Sequence, residues 1–249
     1  MNSALDDITE RCILLDIEGT TTPIDFVHKI LFPFARERVR DYLNQNWASS
    51  DIEEDLAKLR DEHSNDVRQG LEPPELECDR MVAYIHWLID QDRKSTPLKS
   101  LQGKIWEDGY LTGELLAPVF DDVTPALERW MEENKLICIY SSGSIMAQRL
   151  LFTHTTSGDL TNYIFRYFDT TIGSKVEESS YLRIAAELQL PPAEIVFISD
   201  AIAELDAARS AGLRTVLSVR PGNKPLQSSV LHPQITTFEI EIRKTDVRS

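Results

Sequence analysis

The chain has 249 residues, enough for one large domain or for a domain that carries a smaller inserted one. It contains 41 acidic and 26 basic side chains, which gives a formal net charge of −15. This charge repels phosphate backbones and anionic lipids, so we expect no nucleic-acid partner and no membrane partner.

Short apolar runs typical of buried strands recur along the chain, and helical periodicities separate the later ones. The predicted strands are CILLD (12–16), KLICIYS (135–141), IVFIS (195–199), LRTVLSV (213–219) and, as a final edge strand, QITTFEI (234–240). The predicted helices between them are TPALERWMEEN (124–134), SIMAQRLLF (144–152), EESSYLRIAAELQ (177–189) and AIAELDAARSAG (201–212). This alternation predicts an α/β fold, a Rossmann-like three-layer core with a parallel sheet between helices.

The alternation is absent from about residue 24 to residue 120, where helix follows helix. The predicted helices are FVHKILFPFARERVRDYLNQ (26–45), DIEEDLAKLRDEH (51–63) and CDRMVAYIHWLIDQDR (78–93). Pro and Gly in GLEPPELEC (70–78) and KSTPLKSLQG (94–103) predict breaks between helices. We therefore predict a core made of residues 1–23 and 121–249 and an inserted all-helical domain made of residues 24–120.

Polar residues follow three of the predicted strands. Asp16 and Glu18 come after the first strand, Ser141 and Ser142 end the second, and Asp200 follows the third. Because ligands of parallel sheets bind at the carboxyl ends of the strands, we expect these residues to form one site. The oxygen-only set of three acids suits a hard cation such as Mg²⁺ better than Zn²⁺.

Lys175 opens a predicted helix in TIGSKVEE, where Ser174 and Glu177 have the spacing of a capping box. A cation at a helix start is unfavourable because it opposes the helix dipole. A lysine at this position therefore suggests a functional role, in which its ammonium group reaches a bound anion. Together with Ser141 and the backbone N–H groups after it, Lys175 predicts a phosphate site. A phosphate about 4 Å from a carboxylate is repelled by roughly 4 kcal/mol per charge pair, so attack by a carboxylate needs both a metal and a lysine.

These residues also have structural interpretations that the sequence leaves open. Asp200 is a possible N-cap of the predicted helix at 201–212. Ser142 or Ser144 is likewise a possible N-cap of the predicted helix at 144–152. Lys175 could be a surface lysine whose unfavourable position is offset by neighbouring glutamates.

The order of the motifs resembles that of the haloacid dehalogenase superfamily of aspartyl-phosphate hydrolases. The shared pattern is strand-D-x-[DE]-G-T, strand-S-S-G, a lysine at a helix start, and strand-x-D-x-x-x-E, which ends here at Glu204. The resemblance covers nearly the whole chain. It implies that the helical insertion is a cap that closes over the substrate.

The resemblance also implies the roles of the site residues. Asp16 would attack phosphorus, and one Mg²⁺ per subunit would be held by Asp16, Asp200 and the backbone carbonyl of Glu18. Glu204 would support the metal through water. The residues implied to bind the phosphate are Ser141, Ser142 and Lys175.

One residue that differs from the common pattern of the superfamily indicates which branch of it the chain resembles. Most phosphatases of the superfamily carry Asp two residues after the nucleophile, whereas this chain has Glu18. That difference, with LQGKIWEDGY (101–110), FDTTIGSKVE (168–177) and RPGN (220–223), resembles a branch that first enolises and then dephosphorylates a small phosphorylated diketone. Glu18 would be the general acid and base, and the group that removes the enolising proton stays open.

Three other functions compete with this one. Phospho-receiver domains use similar residues in a different chain order and lack so large an insertion. A phosphomutase or a general sugar phosphatase could use the same core. A metal-free dehalogenase is disfavoured, because Glu18 and Asp200 would crowd a bare carboxylate.

Other residue types carry less information. Trp106 and Tyr110 are more typical of packing than of a binding pocket, and the five histidines show no ligand spacing. The three cysteines are odd in number and far apart, as in reduced intracellular proteins. The N-terminus lacks an apolar signal core, so we expect the protein in the cytoplasm, with the nucleus as a second location. We also expect a monomer.

Overall fold

The computed structural model describes residues 9–76, 81–91, 93–225 and 231–239. Contacts between Cα atoms divide the chain into two compact units, Met1–Phe26 with Leu116–Ser249, and Val27–Leu115. The first unit is the α/β core and the second is helical. The domain boundaries predicted from the sequence, at 23/24 and 120/121, differ from these divisions by a few residues. The role of the helical unit as a cap stays a prediction.

The core unit contains a six-stranded parallel sheet, which confirms the predicted fold class. Its strands are β1 (Cys12–Leu15), β2 (Leu136–Tyr140), β3 (Arg166–Phe168), β4 (Ile195–Ser199), β5 (Arg214–Ser218) and β6 (Gln234–Ile235). Their order across the sheet is β3-β2-β1-β4-β5-β6, so β1 lies in the middle. The predicted final strand does form an edge, but it is two residues long, and its predicted last residue lies outside the described ranges.

Strand β3 was not predicted from the sequence. It has three residues and begins with an exposed arginine, so it shows neither an apolar run nor a clear alternation. Its pairing with β2, in which Arg166 lies opposite Cys138, defines it as a strand.

Helices cover the sheet. Those of the core unit are α6 (Val123–Glu132), α7 (Ile145–Thr153), α8 (Glu178–Leu188) and α9 (Ile202–Ser210), preceded near the chain start by the short α1 (Ile24–Phe26). Every residue of β1 and β4 is buried, which requires cover on both faces. Helices α8 and α9 join one face, where Cys12 and Cys138 lie in the apolar core as buried free thiols. Cys78 lies outside the described residues.

The helical unit begins with a π-helical turn, Val27–Leu31, and continues with α2 (Phe32–Asn46), α3 (Ser50–Arg68), α4 (Met81–Asp90) and α5 (Thr96–Leu111). The predicted break at 94–103 is correct only at its start, because residues 94–95 lie between α4 and α5 and α5 occupies the rest of the stretch. Ser95 caps this helix by accepting a hydrogen bond of 3.3 Å from the Leu98 amide, and Pro97 lies in its first turn. Proline in that turn loses no helical hydrogen bond, so it marks a helix start as readily as a break.

The aromatic residues of α5 stabilise the helical unit itself. Trp106 donates a hydrogen bond of 2.8 Å to the Leu31 carbonyl oxygen, and the Tyr110 side chain is buried. Both observations agree with the packing role predicted for them. Among the described residues, none of the helices combines the length and the apolar character needed to span a bilayer.

Candidate active site

Asp16 lies directly after β1, at the carboxyl edge of the middle of the sheet. Its amide continues the strand pairing by donating to the Ile198 carbonyl oxygen at 3.0 Å. The side chain is buried, and both carboxylate oxygens have partners. Oδ1 accepts from the Ile17 amide at 2.8 Å, and Oδ2 accepts from the Ser199 hydroxyl at 2.8 Å. The carboxylate is therefore held in one orientation.

Lys175 brings the positive charge to this carboxylate. Its Nζ atom lies 2.7 Å from Asp16 Oδ1 and 2.7 Å from Glu204 Oε2, and the side chain is 9 % exposed. Burial by itself lowers the pKa of Lys175, but the two carboxylates outweigh burial and raise the pKa above the usual range. The ammonium is thus fully charged at neutral pH.

The predicted capping box before α8 is wrong. The helix starts at Glu178 and Lys175 lies in the preceding turn, closed by a bond from the Glu177 amide to the Ser174 carbonyl oxygen. This turn is anchored from the core by two tyrosines. The Tyr181 hydroxyl donates to the Lys175 carbonyl oxygen at 2.6 Å, and the Tyr140 hydroxyl donates to that of Gly173 at 3.0 Å.

Glu204 lies beside Lys175 and Ser199, and its implied support of a metal through water stays a prediction. Its Oε2 atom lies 3.1 Å from the Ser199 hydroxyl oxygen, whose hydrogen is donated to Asp16 over the shorter distance, and 2.7 Å from the lysine. Burial and the nearby charge of Asp16 raise the pKa of Glu204 to about 7, despite the opposing effect of Lys175.

Asp200 follows β4 and does not cap α9, because that helix has Ala201 at its N-cap position and no side-chain cap bond. It faces the turn after Asp16. Gly19 in that turn has a φ of +65°, and a Cβ atom on it would lie 2.4 Å from Asp200 Oδ2. Only glycine fits there. Burial and the charges of Asp16 and Glu18 raise the pKa of Asp200 to about 6.

Ser141 and Ser142 follow β2, the strand next to β1. The Ser141 side chain is buried and accepts a hydrogen bond of 3.3 Å from the Gly143 amide, whereas Ser142 is exposed. Ser144 caps α7 by accepting from the Ala147 amide at 3.2 Å, which settles the cap assignment that the sequence left open between two serines. Gln148, which sequence reasoning missed, donates to the Gly143 carbonyl oxygen at 2.8 Å and so fixes this loop.

Several candidate ligands of a cation are in place, although not as a cluster of three carboxylates. Within the described ranges, no three His, Cys, Asp or Glu side chains are grouped so that they could hold a metal ion. The predicted three-carboxylate set of Asp16, Glu18 and Asp200 is therefore not formed. The backbone carbonyl of Glu18 as a ligand stays what the resemblance implies. Burial is the main cause of the raised pKa values of Asp200 and Glu204, and the negative charge of Asp16 adds to it.

Ser199 is a second residue that sequence reasoning missed. It ends β4 within an apolar run and is fully buried. Its hydroxyl lies between Asp16 Oδ2 and Glu204 Oε2 and also accepts from the Ala201 amide at 3.1 Å. A polar residue at the end of a buried strand, directly before a site aspartate, was the available signal.

Known proteins are similar to this chain over most of its length. Residues 10–212 match the family model of the haloacid dehalogenase-like hydrolases. The enolase-phosphatase E1 of Synechococcus elongatus is 50% identical over 218 residues, which cover 86% of this chain and 91% of the relative.

Two further proteins extend the comparison. A protein of Arabidopsis thaliana named as a probable bifunctional methylthioribulose-1-phosphate dehydratase/enolase-phosphatase E1 is 45% identical over 92% of this chain and 47% of its own length. The crystal structure of the UTR4 protein of Saccharomyces cerevisiae superposes with a TM-score of 0.76 at 34% identity, covering 93% of this chain and 99% of that one.

Proposed function

The chain belongs to the haloacid dehalogenase-like hydrolases, and we propose that it is the enolase-phosphatase for which its relatives are named. The substrate is 2,3-diketo-5-methylthiopentyl-1-phosphate, and the products are the acireductone 1,2-dihydroxy-3-keto-5-methylthiopentene and phosphate. This reaction belongs to methionine salvage. The Arabidopsis relative supports the substrate, because loss of water from methylthioribulose-1-phosphate, the substrate in its printed name, gives a phosphorylated diketone.

The first stage is enolisation. The carbon that bears the phosphate is acidic because a ketone adjoins it, and loss of its proton gives an enol phosphate. We assign acid and base work to Glu18, which lies two residues after the nucleophile and whose charge acts on Asp200. The enol is a better leaving group than an ordinary alkoxide.

The second stage is phosphoryl transfer to Asp16. Its carboxylate oxygen bonds to phosphorus while the bond from phosphorus to the enol oxygen breaks, and the enol oxygen takes a proton. Water then attacks phosphorus, releases phosphate and restores the carboxylate, so that one difficult displacement becomes two easier ones. Lys175 offsets the charge of Asp16 as the anionic phosphate approaches, and Ser141 and Ser142 with the start of α7 bind the phosphate oxygens.

The residues present fit a hard divalent cation. Asn223 Oδ1, a buried oxygen with no hydrogen-bond partner among the described residues, lies near the Asp200 carboxylate across Gly19. The carboxylate, amide and carbonyl groups at this place all offer oxygen atoms, which are the ligand atoms that Mg²⁺ prefers. Asp16, Asp200 and the Glu18 carbonyl would hold one ion, and Mg²⁺ supplies charge neutralisation for the phosphoryl oxygens when it is bound.

One observation carries the proposal: the buried Asp16 carboxylate at the carboxyl end of the central strand has an ammonium group 2.7 Å away. The ammonium group of Lys175 thus lies beside the Asp16 carboxylate, where its positive charge offsets the repulsion between that carboxylate and the substrate phosphate. A surface ion pair would not need the anchoring that Ser199 and the two tyrosines provide.

To test this proposal, the purified protein is incubated with the diketone phosphate in the presence and in the absence of Mg²⁺. Phosphate release and the ultraviolet absorption of the enediol are followed together, so that both stages are seen. We expect both signals with Mg²⁺ and neither without it. Phosphate release without the enediol band would contradict the enolase stage, and turnover of simple sugar phosphates at equal rates would favour a general phosphatase.

We further propose that the chain works as a monomer in the cytoplasm. Size-exclusion chromatography with light scattering tests the first point, and cell fractionation tests the second.

A further inference from the structure

The RPGN stretch after β5 takes no part in the phosphoryl transfer described above, yet it contacts the turn that follows Asp16. The Ser218 hydroxyl and the Asn223 amide both donate to the Gly19 carbonyl oxygen, at 3.1 Å and 3.0 Å. Arg220 Nε donates to the next carbonyl oxygen, that of Thr20, at 3.2 Å. One short segment thus holds two consecutive peptide groups directly after Glu18.

The segment itself is fixed. The Arg220 side chain is 3 % exposed, and its Nη1 atom lies 2.7 Å from Asp122 Oδ2. The guanidinium also lies 4.7 Å and 4.4 Å from the ring centroids of Phe120 and Phe238. A buried cation paired with a carboxylate and placed between two rings has little freedom, so the segment presents Asn223 in a defined position.

The orientation of the Asn223 amide follows from its donors. Its Nδ2 atom also donates to the Ser218 carbonyl oxygen at 3.2 Å, so both amide hydrogens are used. Its oxygen therefore points the other way, towards Gly19 and Asp200. A Cβ atom built on Gly19 would lie 2.7 Å from Asn223 Oδ1 and 2.4 Å from Asp200 Oδ2, so these two oxygens border the same small space.

An unpaired buried oxygen beside a carboxylate is unfavourable unless a donor lies between them. Mg²⁺ usually keeps several of its waters, and such waters are strong donors. We propose that Asn223 is a positioning residue of the cation site: its Nδ2 fixes the Gly19 turn, and its Oδ1 accepts a hydrogen bond from a cation-bound water. This inference rests on the metal dependence of the proposed function.

The test measures Mg²⁺ binding to the substrate-free chain by isothermal titration calorimetry. Residues around a metal that act through its ligands or waters typically change its affinity 10- to 100-fold when they are replaced. We expect Asn223→Ala to weaken Mg²⁺ binding about tenfold or more. Ser218→Ala, which removes a donor to Gly19 but no acceptor, should cause a smaller loss. Asn65→Ala, at an exposed position of α3, is the matched control and should bind like the wild type.

The outcomes separate the two proposals. Equal Mg²⁺ affinity in Asn223→Ala and the wild type would refute this inference alone, as would an equal loss in Ser218→Ala and Asn223→Ala. Failure of the wild type to bind Mg²⁺ would refute the metal dependence of the proposed function. If circular dichroism shows that Asn223→Ala does not fold, Asn223→Ser is measured instead, because its single short hydroxyl cannot replace both Nδ2 and Oδ1. Mg²⁺ affinity equal to that of the wild type in that variant would overturn the inference.

Discussion

Replacement of Lys175 by methionine tests the electrostatics of the site most directly, because the change removes one charge and keeps much of the side-chain volume. The ammonium lies 2.7 Å from a carboxylate oxygen of both Asp16 and Glu204. At that distance, each pair attracts by about 6 kcal/mol at an effective dielectric constant of 20. Desolvation offsets much of this attraction. Loss of one partner from a buried ion pair then costs about 3–5 kcal/mol, since the other charge stays buried.

Urea unfolding at pH 8 and at pH 5.5 measures this loss. Without the lysine, burial and the nearby charge of Asp16 raise the pKa of Glu204 further above its unfolded value. A group with a raised folded pKa favours folding at low pH and loses that contribution as pH rises. The stability deficit of Lys175→Met should therefore be smaller at pH 5.5 than at pH 8.

Turnover provides an independent measurement. Lys175 touches the nucleophile and is placed to meet the phosphate, and loss of one such electrostatic contact typically lowers kcat by about 100-fold or more. Lys99→Met, at an exposed position of α5, is the control and should change stability by less than about 0.5 kcal/mol. If Lys175→Met unfolded within about 1 kcal/mol of the wild type and kept its kcat, the buried ion pair would have no such role.

Three further predictions concern other parts of the chain. Asp16→Asn should abolish phosphate release, measured with the diketone phosphate, yet remain folded by circular dichroism, because it changes charge and not volume. Burial alone raises the pKa of Asp122, but hydrogen bonds from Arg220 and neighbouring groups lower this pKa overall. Asp122→Asn should therefore lower the free energy of unfolding by about 3 kcal/mol at pH 7, measured with urea. This deficit should disappear as pH falls below 3.8, because the wild-type carboxylate is then protonated as well. Gly109→Ala should lower the melting temperature, because the added Cβ would lie 2.6 Å from the Phe34 ring and overpacking costs about 1–3 kcal/mol.

Each of these has a result that would contradict it. Continued phosphate release by Asp16→Asn would remove Asp16 as the nucleophile. A stability deficit of Asp122→Asn that did not change with pH would show that its charge is not the stabilising feature. A higher melting temperature for Gly109→Ala would mean that the better helix propensity of alanine outweighs the contact with Phe34.

Part of the candidate site could be predicted because it depends on local sequence and one topological rule. Asp16, Ser141 and Asp200 each follow an apolar run that is long enough to be recognised as a strand. In a parallel sheet the carboxyl ends of all strands share one edge, and β2, β1 and β4 are neighbours here, so these residues follow adjacent strands at that edge. The same reasoning missed β3, because a three-residue strand with an exposed first residue is defined only by its partner.

The surroundings of the site could not be predicted, because they depend on contacts between residues far apart in sequence. Lys175 was recognised as unusual, but the apparent capping box placed it on a helix rather than in a turn held by Tyr140 and Tyr181. Asn223 contacts Gly19 across 204 residues, and no local pattern encodes such a bond.

The sequence alone therefore determined the fold class, the helical insertion and the identity of the charged residues, since strand and helix periodicities and polar residues at strand ends are properties of short segments. Only the tertiary structure decided which oxygen of Asp16 meets Lys175, that Glu204 joins them, that Ser199 contacts Asp16, and that Asn223 contacts Gly19. These depend on how side chains satisfy one another's charges and hydrogen bonds once water has been excluded.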